Sequence, residues 1–153
     1  MDYRTGAIGA MTDEYEKALN ELKSVLKSIS NEVFCASIES NNDNINSIRS
    51  ITFHVVNSGY VYCNYIRKRF GNDYINQEIK IESVQEALSE LDKMFEYNVA
   101  TYEDKWHFTD EFLMNTIIKT NWTTYDLEAI IEHSIVHILR HRLQIQKIAQ
   151  KIR

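Results

Sequence analysis

Proline is absent from this 153-residue chain, and its absence constrains the fold more than any other feature of the sequence. A proline inside a helix removes a backbone hydrogen bond and clashes with the preceding turn, so a chain without proline can form long, uninterrupted helices. Apolar residues recur at spacings of three and four along several stretches, which is typical of helices with one buried face. Because the sequence shows no convincing strand pattern beside these repeats, it predicts an all-α fold.

Four segments carry these amphipathic repeats. Their apolar stripes can all be buried around one core if the helices pack side by side, which predicts a four-helix bundle in a single domain over residues 1–153. The predicted helices are helix one from Tyr15 to Ile29, helix two from Ile45 to Phe70, helix three from Ser83 to Asp104, and helix four from Leu127 almost to the C terminus.

The stretches outside the four segments are predicted to be irregular. Residues 1–11 contain two glycines and are expected to form a loose N-terminal arm. A polar tract over residues 40–46 separates helices one and two. Residues 105–122 lack sustained helical capping, so we expect an irregular connection with one extra turn between helices three and four. Thr123 or Thr124 is the predicted N-cap of helix four, and Gly71 is the predicted stop of helix two.

Charge and cysteine content exclude several classes of protein. A formal net charge of −5 with no cluster of basic residues argues against nucleic-acid binding. Cys35 and Cys63 form neither a CxxC pair nor a disulfide framework, which favours a reducing compartment and hence the cytoplasm. No run approaches the roughly 20 apolar residues needed to span a bilayer, and the N terminus does not resemble a secretion signal. Secretion and membrane insertion are therefore not expected.

Three histidines are spaced four residues apart on the fourth predicted helix. Each step rises about 6 Å and turns about 40°, so an adjacent pair can bind one metal ion, whereas all three cannot. On a helical wheel that starts at Leu127, His141 falls inside the apolar stripe, His137 on its edge and His133 outside it. His54, on the second helix, can point along a seam between helices. It is the candidate third ligand.

Other interpretations of these histidines can be tested against the sequence. A di-iron bundle requires Glu-x-x-His motifs and a zincin requires His-Glu-x-x-His, and neither occurs. Haem ligation by two histidines stays open, although the chain has no CxxCH motif. Cys63 is expected on the face of helix two opposite His54, so it is not a candidate ligand. Since histidine pairs at this spacing also arise by chance, the residues alone leave open both a metal site and ordinary polar side chains.

The fourth helix also carries the pattern His-x-x-x-His-Arg-x-Gln-Ile, and helix two carries a histidine near its middle. This combination resembles the DinB/YfiT-like family of metalloproteins. The resemblance implies a four-helix bundle that binds one divalent metal ion. Three imidazole ligands favour zinc or nickel, with iron or copper as alternatives. The resemblance also implies the ligand set His54, His137 and His141, and a place at the rim of the site for His133. The pattern is formed by His137, His141, Arg142, Gln144 and Ile145.

The family resemblance further implies a metal-dependent hydrolase or a transferase that uses a low-molecular-weight thiol, acting on a small molecule and forming a homodimer. Three neutral imidazoles leave at least one coordination position open, as in catalytic sites. The alternative function is that of a non-catalytic, metal-binding or stress-associated bundle that acts through a partner or dimer surface. A third interpretation is a purely structural bundle without metal. No catalytic residue is identified. The mouth of the pocket is predicted to include Trp106, His107, Phe108 and Trp122.

Overall fold

The fold is mostly helical, as described by a computed structural model that covers residues 2–42 and 45–152. This confirms the predicted all-α class, although two very short strands accompany the helices. The elements in chain order are α1 (Gly6–Lys27), α2 (Asn31–Cys35), α3 (Ile48–Arg69), α4 (Val84–Thr101), α5 (Asp110–Asn115), β1 (Ile117–Lys119), β2 (Thr124–Asp126) and α6 (Leu127–Ile152).

The four long helices α1, α3, α4 and α6 form the bundle. Helices α3 and α4 run parallel, because Gly59 lies against Met94 and, further along both helices, Arg67 Nε donates to Thr101 Oγ1 at 2.8 Å. Helix α6 runs antiparallel to α3, since the early part of α6 meets the later part of α3. The pairs that show this are His54 with His141 and Tyr62 with His133.

A parallel pair of consecutive helices requires a chain segment that returns along the bundle. Residues 72–82, called the strap here, make this return along α3. Arg67 donates to the carbonyl oxygen of Asp73 near one end, and Arg49 pairs with Glu82 at the other. Eleven extended residues reach about 36 Å and the 22 residues of α3 span about 33 Å, so the strap covers the length of that helix.

The predicted loose arm is wrong for residues 6–11, because α1 already begins at Gly6. Two interactions hold this first turn in place. Ile8 is fully buried in the core, and the Arg4 guanidinium pairs with Asp13 at 2.6 Å and Glu16 at 2.9 Å. The helix therefore begins before the predicted start of helix one, because burial of Ile8 stabilises the additional turns.

Two other boundary predictions also need correction. Helix α3 begins at Ile48 rather than Ile45, with Ser47 as its N-cap, and residues 43–44 of the predicted polar tract lie outside the described residues. Helix α6 is capped by neither Thr123 nor Thr124. The Asp126 carboxylate takes this role by accepting a hydrogen bond from the Ala129 N–H at 2.7 Å.

The connection between α4 and α6 is more ordered than predicted. It contains α5, whose N-cap Thr109 accepts from the Phe112 N–H, and the antiparallel pair β1 and β2. Each strand has three residues, and Ile118 of β1 is almost fully buried beneath the hairpin. The expectation that no strand is present is therefore wrong over these residues. Pairing of the two strands and burial of Ile118 stabilise the hairpin, but three residues are too few to show the alternation of apolar and polar residues that predicts a strand.

The apolar interior forms two clusters along the bundle. The larger lies between α1, α3, α4 and the second half of α6 and includes the strap residue Ile81. The smaller packs the start of α1 and the ends of α3 and α4 against α5, β1 and the first half of α6. Among the described residues, no helix has the length and apolar character to cross a membrane. Cys35 and Cys63 are both free thiols, as predicted.

Candidate metal centre

The antiparallel contact between α3 and α6 brings three histidines together. His54 lies in the second turn of α3 and is half-buried, while His137 and His141 lie one turn apart on α6 and are 8% and 4% exposed. His133, one turn earlier on α6, is exposed. The helical wheel therefore predicted the correct order of burial for the three α6 histidines, with His141 the most buried and His133 the most exposed.

The Nε2 atoms of the three rings point at one another. His137 Nε2 lies 3.1 Å from His54 Nε2 and 3.2 Å from His141 Nε2. One nitrogen of each ring lies within 4.8 Å of the others, which is close enough for all three to hold one metal ion. Two nitrogens bound to the same zinc ion at roughly 2.1 Å in a tetrahedral arrangement are about 3.4 Å apart, so the two shorter separations suit a shared ion.

Gln144 fixes the protonation of one of these rings. Its amide oxygen accepts a hydrogen bond from His141 Nδ1 at 2.8 Å, so Nδ1 carries the proton of the neutral ring. The lone pair of His141 is then on Nε2, the atom that faces His137. Histidine ligands of metal ions usually make such a hydrogen bond through their other ring nitrogen.

Hydrogen bonds among the rings cannot complete this arrangement. His141 Nε2 can only accept, so a hydrogen bond between these two nitrogens would require the proton on His137 Nε2. The His137 Nε2–H group has only one hydrogen. If this hydrogen points at His141 Nε2, no hydrogen bond joins His137 Nε2 to His54 Nε2, although these two atoms are 3.1 Å apart. One divalent cation would satisfy all three lone pairs, and the donor set of three neutral imidazoles therefore fits a metal ion.

Burial keeps the three rings neutral. It lowers the pKa of His137 to about 3, and the charges that His141, His54, His133 and Arg140 carry when protonated act in the same direction. Burial also lowers the pKa of His54 and of His141, with Arg140 again contributing, although the hydrogen bond to Gln144 partly opposes this for His141. Neutral imidazole is the form that binds metal, so the site is ready for a cation at neutral pH.

An aromatic cluster adjoins the histidines on the side toward the strands. The Tyr62 ring stands edge-on to both His137 and His133, at centroid distances of 5.7 and 5.4 Å. Tyr125 lies 5.4 Å from His133, and its hydroxyl accepts a hydrogen bond from the Trp122 indole N–H. His133 therefore lies beside the site among aromatic rings, as expected for a residue at the rim.

A cavity of about 520 Å³ opens on the other side of His54, between α3 and the strap. Its volume is within the range of small-molecule sites. The predicted mouth residues are not on its wall. Trp106 and Phe108 pack into the smaller core cluster, the His107 ring lies edge-on to Phe108, and Trp122 belongs to the aromatic cluster. The lining residues are Arg49, Ser50, Phe53, His54, Asn57, Ile79, Lys80, Ile81 and Glu82.

Two parts of this site were not predicted from the sequence. Gln144 belongs to the histidine pattern of the fourth helix, but its hydrogen bond with His141 was not predicted. The spacing of three residues, which places both side chains on one helix face, could have indicated this contact. The strap was not predicted, because the only pattern in it, the alternation of polar and apolar residues over 78–82, is too short to indicate an element. Its position depends on the parallel orientation of α3 and α4, which cannot be read from either segment alone.

Comparisons with known proteins agree with this picture. The profile of the family described as the DinB superfamily matches residues 14–145. A solved structure from Enterococcus faecalis, titled only as a conserved protein of its locus, superposes with a TM-score of 0.60. It is 13% identical, and the alignment covers 95% of this chain and 96% of that one, which shows a shared fold. No functionally curated protein matches the chain.

Proposed function

Because this chain belongs to the DinB superfamily, we propose that it binds one divalent metal ion through His54, His137 and His141 and uses the ion in catalysis. The reaction is hydrolysis, or transfer to a low-molecular-weight thiol. Convergence of the three Nε2 atoms is the observation that supports this proposal most strongly. Zinc or nickel suits three imidazoles best, and iron or copper can bind the same donors.

A catalytic ion needs an open coordination position and room for a substrate. Three protein ligands leave such a position, and the cavity beside His54 supplies the room. When bound, the ion would supply Lewis acidity, which lowers the pKa of a coordinated water or thiol. The protein's own contribution is to hold the rings neutral by burial and, through Gln144, to keep the His141 lone pair on Nε2.

The test is an activity screen on the zinc-loaded and nickel-loaded protein, with ester and amide hydrolysis and thiol conjugation to electrophiles as reactions. We expect one of these activities to disappear in His137→Ala and to remain in His133→Ala, which removes an exposed neighbour on the same helix. Circular dichroism would check that both variants keep their helices. Equal activity in the two variants would contradict a metal-based mechanism at this site.

A second candidate function is a metal-binding or stress-associated bundle that acts through a partner or homodimer surface without catalysis. The observation that favours it is an exposed apolar stripe on α6, next to the histidines. Val136 is 59% exposed, Leu139 36% and Leu143 48%. These residues recur at spacings of three and four, so they form one helix face.

Sedimentation equilibrium tests the dimer surface that the second candidate requires. If the stripe is a dimer surface, the protein sediments as a dimer and the double variant Val136→Glu, Leu143→Glu sediments as a monomer. The matched control is Met114→Glu, Ile117→Glu, which places the same charges on exposed apolar residues elsewhere. A monomeric wild-type protein would leave the catalytic function as the better proposal.

A further inference from the structure

The cavity between α3 and the strap differs in charge from the rest of the protein. Two of its lining residues are cations, Arg49 and Lys80, and one is a carboxylate, Glu82. Its wall therefore carries one net positive charge, whereas the whole chain carries −5. A positive wall beside a site for a divalent cation attracts anions.

Lys80 is the cation most available to a ligand. It is exposed at the cavity, and within residues 2–42 and 45–152 no carboxylate lies within ion-pair distance of its ammonium group. Arg49 is paired with Glu82 at 2.8 Å, but the two side chains are 43% and 62% exposed. Exposed pairs of this kind contribute little to stability, so an incoming anion can share Arg49 at small cost.

The spacing on α3 sets the length of a suitable ligand. Arg49 precedes His54 by five residues, which separates them by about 7.5 Å along the helix axis. Between them, Phe53 and Ile79 offer an apolar wall, and Phe53 is 43% exposed. A molecule that reaches from His54 to the cations therefore needs a short, largely apolar body with a negative group at its far end.

We propose that this cavity is the substrate site and that Lys80, assisted by Arg49, binds the carboxylate of a small monoanionic substrate whose reacting end lies at His54. The inference rests on the metal centre proposed above. A carboxylate matches the single net positive charge of the wall, whereas the two negative charges of a phosphate ester exceed it. Lys80 and Arg49 thus act as specificity-determining residues supplied by the strap and α3.

The experiment uses cobalt as a spectroscopic substitute for the metal ion. A thiol that coordinates cobalt produces a charge-transfer absorption, so the dissociation constants of mercaptohexanoate and mercaptohexanol can be measured on the same site. The two probes have the same length and differ only in the charge at the far end. We expect the carboxylate to bind about three- to fivefold more tightly than the alcohol.

Three variants test the assignment to the strap. In Lys80→Gln the preference for the carboxylate is expected to fall to about one, and in Glu82→Gln it should increase because a competing carboxylate is gone. The control Lys17→Gln removes an exposed lysine of α1 that lines a different groove, and it should leave the preference unchanged. These variants change exposed side chains and are not expected to affect folding.

The outcomes distinguish this inference from the metal centre on which it rests. Cobalt that produces no protein-dependent spectrum would overturn the metal centre, and the substrate assignment with it. Cobalt that binds normally without a preference for the carboxylate, or with the same preference in Lys80→Gln, would overturn the substrate assignment alone. Tighter binding of mercaptohexyl phosphonate than of mercaptohexanoate would contradict the choice of a monoanion.

Discussion

Helix α3 contacts its two long neighbours in different ways. Toward α4, Gly59 leaves room for the fully buried Met94, whose sulfur would lie 2.1 Å from a Cβ atom at position 59. Toward α6, the His54 imidazole meets the His137 imidazole with 3.1 Å between their Nε2 atoms. The first contact is apolar and close-packed, whereas the second is polar and brings two ring nitrogens together.

This difference separates stability from function along a single helix. Packing at Gly59 contributes to the free energy of unfolding whether or not metal is present. Burying three imidazoles costs free energy, because polar groups lose their hydration and find only partial replacement. A bound ion would reverse this cost, since binding to the folded state alone stabilises that state. Changes on the two faces are therefore expected to be independent.

The largest expected effect is the stabilisation by zinc and its loss in His137→Leu. At a free zinc concentration a hundred times the dissociation constant, the wild-type protein should gain about 2.7 kcal/mol in unfolding free energy. The variant should gain none, because its ligand set is incomplete. Without metal it should be at least as stable as wild type, since leucine replaces a buried polar group. Urea unfolding with and without zinc measures both quantities.

His133→Leu is the matched control for that experiment. His133 is exposed and lies outside the set of converging nitrogens, so the gain from zinc should persist. If zinc still raised the unfolding free energy of His137→Leu, the metal would bind elsewhere. The proposed difference between the two faces of α3 would then be contradicted.

The next effect is on the α4 face, where Gly59→Ala should lower the unfolding free energy by about 1–3 kcal/mol. The added Cβ forces Met94 out of its position. At a solvent-exposed helix position, replacing glycine by alanine raises the unfolding free energy by roughly 0.5–1 kcal/mol. The change expected for Gly59→Ala is therefore opposite in sign to the one that helix propensity alone predicts. Asn57→Ala, at an exposed position on the same helix, is the control. The gain from zinc should be the same in both variants, and a reduced gain in Gly59→Ala would couple the two faces.

An effect of similar size is expected from Gln144→Leu, which should weaken zinc binding about tenfold to a hundredfold. Without the amide oxygen, His141 no longer has a partner that keeps its proton on Nδ1. Competition with a chelating dye measures the affinity. Gln146→Leu makes the same change two residues further along α6 and should have no effect. Equal affinity in all three proteins would show that Gln144 does not position the ring.

The smallest effect is the response of the metal-free protein to pH between 6.5 and 5.5. Burial lowers the pKa of His137 to about 3, whereas in the unfolded chain the ring is protonated near pH 6.5. The unfolded state therefore binds more protons as the pH falls below 6.5, and the unfolding free energy declines from there toward pH 3. Between pH 6.5 and 5.5 the loss due to His137 is about 1 kcal/mol. Urea titrations should show a shallower decline in His137→Leu, and an unchanged slope would mean that His137 is not held neutral.

Much of the fold could be predicted because the long helices carry their own signals. On the second helix, spacings of three and four residues join Thr52, Val55, Gly59, Tyr62 and Ile66 into one face, and all five are buried. Gly71, the predicted stop of that helix, has a positive φ just beyond its end. Periodicity and capping are local properties, so a single segment is enough to reveal them.

Features that depend on distant contacts were not predictable in this way. The start of α1 at Gly6 depends on the burial of Ile8, and the hairpin depends on the pairing of Ile117 with Asp126. At the site, the order of burial of the α6 histidines was predictable, because burial on a single helix depends on the angle between a side chain and the apolar stripe. The cavity wall could not be foreseen, since Lys80 reaches the site only through the path of the strap.

The central claim is that His54, His137 and His141 bind one divalent ion, and elemental analysis of the purified, untagged protein tests it most directly. The double variant His54→Ala, His137→Ala is compared with His107→Ala, His133→Ala, which removes two histidines outside the cluster. We predict one ion per chain in the wild type and in the second double variant, and none in the first. No metal in the wild type after incubation with zinc and nickel, or equal metal in all three proteins, would contradict the claim.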